Sequence, residues 1–170
     1  IIVLVLTFVL TVVFDLVVAI EVGVVLAALL FMKRMSDTAE VTGWKYIEEP
    51  DVMPGEQEKL MHVNKAIRIF EVNGPLFFAA ADKLLKINSK KYTKVIIVRM
   101  RAVPAIDASA MKKLRELIER ARKKGIQVVF SHVNEQPRKV MEKDGFIDYV
   151  GAENFRENIM DAISFAESKL

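Results

Sequence analysis

The first 32 residues carry only two charged side chains, Asp15 and Glu21, and this stretch constrains the chain more than any other feature. A run so apolar belongs either in a bilayer or deep in a large core. A secretory signal would need a basic start and a short apolar stretch of about 7–15 residues. Here the run is longer, nothing basic precedes it, and Lys33 and Arg34 follow it. As one straight helix it would measure about 48 Å, against a hydrocarbon core of about 30 Å. The expectation is therefore two helical pieces that break near Asp15, over about 1–13 and 16–34. Lys33 and Arg34 then assign the end of the second piece, and everything after it, to the cytoplasm.

Ionisable side chains at membrane depth face protein or a water-filled cavity. Asp15 and Glu21 are accordingly candidate intramembrane polar residues. Asp15 is suited to cap a helix that starts near Leu16, relieving free amides that lipid cannot satisfy. Glu21 is suited to pairing with a polar group on another helix, or to coupling with a substrate. Gly23, Ala27 and Ala28 suggest close helix packing. The chain begins at Ile1, not methionine, and reads as the C-terminal piece of a longer protein.

Composition narrows the rest. Cysteine is absent, which excludes disulfides and thiolate chemistry. The two histidines, His62 and His132, are too far apart to suggest a zinc site by spacing. A net charge of +3 on 170 residues does not argue for nucleic-acid binding. No Ser/His/Asp set, phosphate-cradling glycine loop or metal-ligand cluster stands out. The expectation is a non-enzyme with no cofactor.

Residues 36–65 are polar and weakly periodic, and read as a connector, with Trp44 and Tyr46 either at headgroup level or packed on the domain. Residues 66–170 read as a globular α/β domain. Alternation from Ile67 to Val72 predicts a strand ending at the Asn73-Gly74-Pro75 turn. Leu76-Phe77-Phe78 suggest a second short strand, then a helix over about 81–87. Residues 94–103 are β-branched and predict a central strand buried on both faces. A helix from Asp107 to Lys124 has Ala110, Met111, Leu114, Leu117, Ile118 and Ala121 on one stripe, and Gly125 ends it. A strand over 127–133, a helix from Pro137 to Lys143 and a short strand at Phe146–Val150 follow. The last helix carries Phe155, Ile159, Ala162, Ile163, Ala166 and Leu170 on one face. Such an order implies one mixed sheet covered mainly by helices.

Three stretches together carry a resemblance. Residues 73–81, Asn-Gly-Pro-Leu-Phe-Phe-Ala-Ala-Ala, resemble the segment that opens STAS domains of the SulP (sulfate permease) transporters. Residues 103–109, Val-Pro-Ala-Ile-Asp-Ala-Ser, resemble their second signature. Thr11 to Leu16, with Ala19, Glu21, Gly23 and Phe31 to Arg34, is similar to the end of that family's membrane domain. The resemblance implies the C-terminal part of a secondary-active, sulfate-type inorganic anion transporter in a plasma or inner membrane. It implies a homodimer, a cytoplasmic STAS domain that regulates, assembles or docks a regulatory protein, and an anion site on upstream helices absent here. Two rival readings remain: a membrane-tethered STAS signalling module without transport, and a small-molecule or nucleotide sensor.

The turn at Pro104, Asp107, Ala108 and Ser109 is the candidate regulatory or partner surface. A helix N-terminus presents free amides and favours anions. In the anti-sigma factor antagonists that the resemblance also brings in, the serine after the matching aspartate is phosphorylated. Here that position is Ala108, which has no acceptor oxygen, and Ser109 lies one residue beyond. The alternative is that Asp107 and Ser109 simply start the helix. Lys112, Lys113, Arg115, Arg120, Arg122, Lys123 and Lys124, with Arg99, Arg101, Lys90 and Lys91, form either a solvated face or one that meets anionic lipid or an acidic partner.

Overall fold

Strand β3 (Val95–Ala102) is the axis of the fold, with its first six residues buried. Two faces of unlike cover explain that burial. Ile96, Val98 and Met100 share a core with Phe70, Val72, Val128 and Phe130. Val95 and Ile97 share a second, smaller core with Ile67, Ile69 and Val129. The computed structural model describes residues 1–13, 15–43 and 62–170. Trp44, Tyr46 and most of the expected connector lie outside the described residues.

The five strands run in the order β1-β2-β3-β4-β5. They are β1 (Glu40–Gly43), β2 (Ile67–Asn73), β3, β4 (Gln127–Ser131) and β5 (Phe155–Arg156). β1 is antiparallel to β2, and every later pairing is parallel. The larger core is covered by a 3-10 segment (Phe78–Lys86), α3 (Ala108–Lys123), α4 (Glu135–Lys143) and α5 (Phe146–Val150). The smaller core is covered by α6 (Ile159–Glu167) through Ile159, Ala162, Ile163 and Ala166. This is the mixed sheet covered by helices that the sequence predicts.

Helix α3 has the expected stripe, all six of its residues being buried. Asp107 caps it, and Gly125, at φ +65°, turns the chain into β4. Burial of Met111, Leu114, Leu117 and Ile118 stabilises the fold by up to about 1.5–3 kcal/mol each.

Several elements differ from expectation, among them the last helix, which spans Ile159–Glu167 and leaves Phe155 in β5 and Leu170 exposed beyond its end. Leu76 makes only a single parallel bridge with Ile106, and the 3-10 segment starts at Phe78 in place of a strand. The Phe78 amide donates to Asp107 Oδ2, and Phe78 takes φ +36°, which ends the extended run. Phe146–Val150 is a short helix, not a strand. Phe146, Tyr149 and Val150 also satisfy helical spacing, and the edge of β4 is occupied by Phe155–Arg156. β4 stops at Ser131 because His132 adopts φ +52°. Within the stretch read as a connector, residues 40–43 form the edge strand β1.

The apolar end forms α1 (Ile2–Val13) and α2 (Leu16–Thr38), with Asp15 in neither helix. Thr7 and Gly23 lie equally far on either side of Asp15. A Cβ on Gly23 would sit 2.6 Å from Thr7 Cγ2, so the helices pack back on each other there. Ala19 and Gly23 are buried, whereas Ala27 and Ala28 are exposed. The stretch Leu16–Met35 is long and apolar enough to cross a membrane. Thr7 and Thr11 hydroxyls donate to carbonyls of the preceding turn, so neither adds an unmet polar group to α1.

Candidate docking surface at the carboxyl edge of the sheet

Only Ala39 separates α2 from β1, and Glu40 at the start of β1 stands opposite Asn73 at the end of β2. Because β2 to β5 are parallel, all four point their carboxyl ends toward the end of α2. The two signature turns, after β2 and after β3, therefore share the edge nearest the apolar helix. Ligands and partners of open α/β sheets are characteristically met at this edge.

The junction is tightly built. Gly74 sits at φ +80°, and a Cβ there would lie 3.0 Å from Ala39 Cα and 3.1 Å from the Thr38 carbonyl oxygen. Lys83 Nζ donates to the Ala39 carbonyl at 2.6 Å and reaches that of Asp37 at 3.5 Å. A lysine from the domain thus meets carbonyls that the helix end leaves free.

The second turn is held by three polar side chains. Asp107 Oδ1 accepts from the Ala110 amide at 2.9 Å, and Oδ2 accepts from the Phe78 amide at 3.0 Å. One carboxylate thereby starts both α3 and the 3-10 segment. Gln136 pairs with both the amide (2.9 Å) and the carbonyl (3.2 Å) of Ile106. Asn134 Nδ2 donates to the carbonyls of Arg101 (2.9 Å) and Val103 (2.8 Å). Pro104 and Ala108 are exposed on this clamped loop, and Asp107 and Ser109 are half-buried. Phe78 beside them is 77% exposed. Its positive φ costs about 1–3 kcal/mol, retained because Asp107 and the bridge at Leu76 hold the turn.

Replacing Asp107 with alanine is expected to lower stability by roughly 2–3 kcal/mol, since a cap and a second charge-assisted hydrogen bond are lost together. Asp107→Asn should keep part of this. Urea unfolding of the two variants measures the difference.

Of the sequence-selected site residues, the structure brings Pro104, Asp107, Ala108 and Ser109 onto one surface. Asp15 and Glu21 are exposed on the helical pair and are not joined to it. Sequence reasoning missed Phe78, Lys83, Asn134 and Gln136. An Asn-x-Gln directly after a strand and opening a helix was the available signal for the last two.

The basic residues do not form one face. Arg99 is 1% exposed and lies 3.4 Å from Glu71. Lys90 and Lys91 precede β3 at the opposite edge of the sheet. Arg115 pairs with Asp144 at 2.6 Å, Arg122 donates to the Tyr149 carbonyl, and Lys124 bonds Ser89 at 3.2 Å. Lys113 bridges Glu116 and Asp82 at 3.1 and 3.2 Å. Hydrogen bonds to Glu116 first, and to Asp82, hold its ammonium above the ordinary lysine range. Lys113 and Arg115 thus tie the domain together, while Lys112, Arg120, Arg122, Lys123 and Lys124 remain exposed. Among the described residues, no cluster of three or more His, Cys, Asp or Glu is arranged to hold a metal.

Residues 58–164 match the STAS domain family. The YvdB protein of Bacillus subtilis, which carries a sulfate-transporter name, is 27% identical over 152 residues, covering 88% of this chain and 27% of its own length. A crystal structure of a sulfate transporter family protein from Wolinella succinogenes is 33% identical. It covers 71% of this chain and 97% of its own, with a TM-score of 0.60. The murine Solute Carrier 26 family member A9 anion transporter, in its inward-facing state, matches 98% of this chain over 28% of its own at a TM-score of 0.72. Its identity of 18% makes that a likeness of fold alone. The chain spans under a third of the length of the curated relatives it matches.

Proposed function

This chain belongs to the STAS domain family, and from that membership we propose that it forms the C-terminal part of a secondary-active carrier of inorganic anions. On this reading α1 and α2 end the membrane part, and the sheet domain stands on the cytoplasmic side as a regulatory and assembly element. The observation that carries the reading is the junction: an apolar span of membrane length runs into the edge strand through Ala39 alone. A soluble signalling domain needs no such span. The anion itself would be held by helices outside this chain, between half-helix ends near the bilayer midplane.

The clamped turn at Pro104–Ser109 is, in this proposal, the docking face for the membrane part or a regulatory protein. Asp107, Asn134 and Gln136 hold its backbone at several points, so it offers a rigid shape.

Uptake by the intact protein in vesicles, across sulfate, bicarbonate, chloride and dicarboxylates, tests the carrier reading. Transport of at least one anion is expected. Transport of none by correctly inserted protein would leave the tethered signalling module as the better account. Ser109→Glu is expected to change the uptake rate while leaving unfolding in urea unaltered. Unchanged uptake at normal expression would remove the turn from regulation.

A further inference from the structure

We propose that Phe78 is seated in the headgroup layer of the bilayer, as an apolar anchor that fixes the domain against the membrane surface. The inference rests on α2 crossing the membrane and adds a contact to that reading. The uncharged run ends at Met32, before Lys33 and Arg34. Ala39, seven residues further on, lies about 10 Å beyond it. The headgroup layer of one leaflet is itself about 5–8 Å thick. Ala39 is therefore just outside that layer, within a side chain's reach of it.

Residues 74 and 83 both touch this point. A Cβ on Gly74 would lie 3.0 Å from Ala39 Cα and 3.1 Å from the Thr38 carbonyl oxygen, so the two backbones approach closely, and Lys83 Nζ bonds the Ala39 carbonyl. Phe78 lies midway along the chain between these two contacts. It is 77% exposed, the most exposed large apolar side chain beyond α2 among the described residues. Its amide is fastened to Asp107 Oδ2 at 3.0 Å, and its φ of +36° is one that non-glycine residues rarely adopt. A side chain presented outward from a strained backbone, within reach of a lipid surface, has one environment that suits its ring. An aromatic or aliphatic face buried beside cations is the usual form of interfacial anchoring. Lys33 and Arg34 supply cations at the same end of α2. Asp82, the acidic neighbour on the 3-10 segment, is engaged by Lys113 at 3.2 Å.

The test uses the intact protein in phosphatidylcholine vesicles in which part of the lipid is brominated high on the acyl chain. Phe78→Cys carries an environment-sensitive dye. Leu29→Cys in α2 and Lys91→Cys at the far edge of the sheet carry the same dye as comparators. Labelled wild-type protein provides the background. The dye at 78 is expected to emit at shorter wavelength than at 91 and to lose most of its emission to brominated lipid. Behaviour like that at 91 would overturn the anchor, and so would a blue shift without quenching, which would mean that protein covers the site. If the dye at 29 is also unquenched, the membrane reading of α2 falls as well. If only 78 is unquenched, the anchor alone falls. Unsubstituted protein photolysed with a diazirine lipid gives a second readout independent of the cysteine variant. Adducts on the peptide holding residues 74–83 support the anchor, and adducts on α2 without them refute it.

Discussion

Replacing Phe130 with alanine is expected to lower stability by about 3–5 kcal/mol, the range for removing a fully buried aromatic. Phe130 is 0% exposed. Its ring stacks on Phe155 at 5.1 Å and meets the edge of Phe146 at 5.7 Å. Those partners belong to β5, which pairs with the β4 edge, and α5, which covers the larger core. β5 has only two residues and so depends on this ring cluster more than on its ladder. The variant should therefore lose hydrogen-exchange protection first at Phe155–Arg156, with α3 holding until global unfolding. Urea unfolding gives the magnitude, and exchange gives the order. A loss under about 1 kcal/mol would mean that the rings fill space without supporting the edge.

Glu71→Ala is expected to cost about 3 kcal/mol, because it strands charge inside the sheet. Glu71 and Arg99 stand opposite each other in the β2–β3 register, 3.4 Å apart, at 13% and 1% exposure. Arg99 has further contacts, which keeps the loss at the lower end of the range for breaking a buried pair. The double variant Glu71→Leu with Arg99→Met should recover most of the stability, since both desolvation costs vanish together. The measurement is a double-mutant cycle in urea. If the double variant is as unstable as Glu71→Ala, the pair owes its place to shape and not to charge.

What the sequence made legible was whatever a local period records. Ala110 to Ala121 repeat at helical spacing because one face of α3 meets the sheet, and Val95 to Met100 are continuously apolar because both faces of β3 are covered. Asp107 and Gly125 announced the ends of α3 by the same local chemistry. β1 gave no such signal. Its Glu-Val-Thr-Gly is short and half-exposed, and it is a strand because β2 offers it an edge. The run at Phe146–Val150 fits either period, and only the prior occupation of β4 by Phe155–Arg156 decides between them.

The candidate turn was readable in its composition but not in its construction. That Asp107 would serve two elements depends on Phe78, 29 residues away in the chain. That Asn134 and Gln136 would close the loop depends on where β4 delivers the chain. Such long-range bonds leave no periodic trace.

With Ala39 alone between α2 and β1, a glycine that admits no side chain behind it and a lysine tying off the helix, the joint has no slack. A post that leans takes its signboard with it. Any rocking of α2 would swing the far loops around Lys91 and Gly125 through the widest arc, so the end of the domain most remote from the apolar helices would report that motion most strongly.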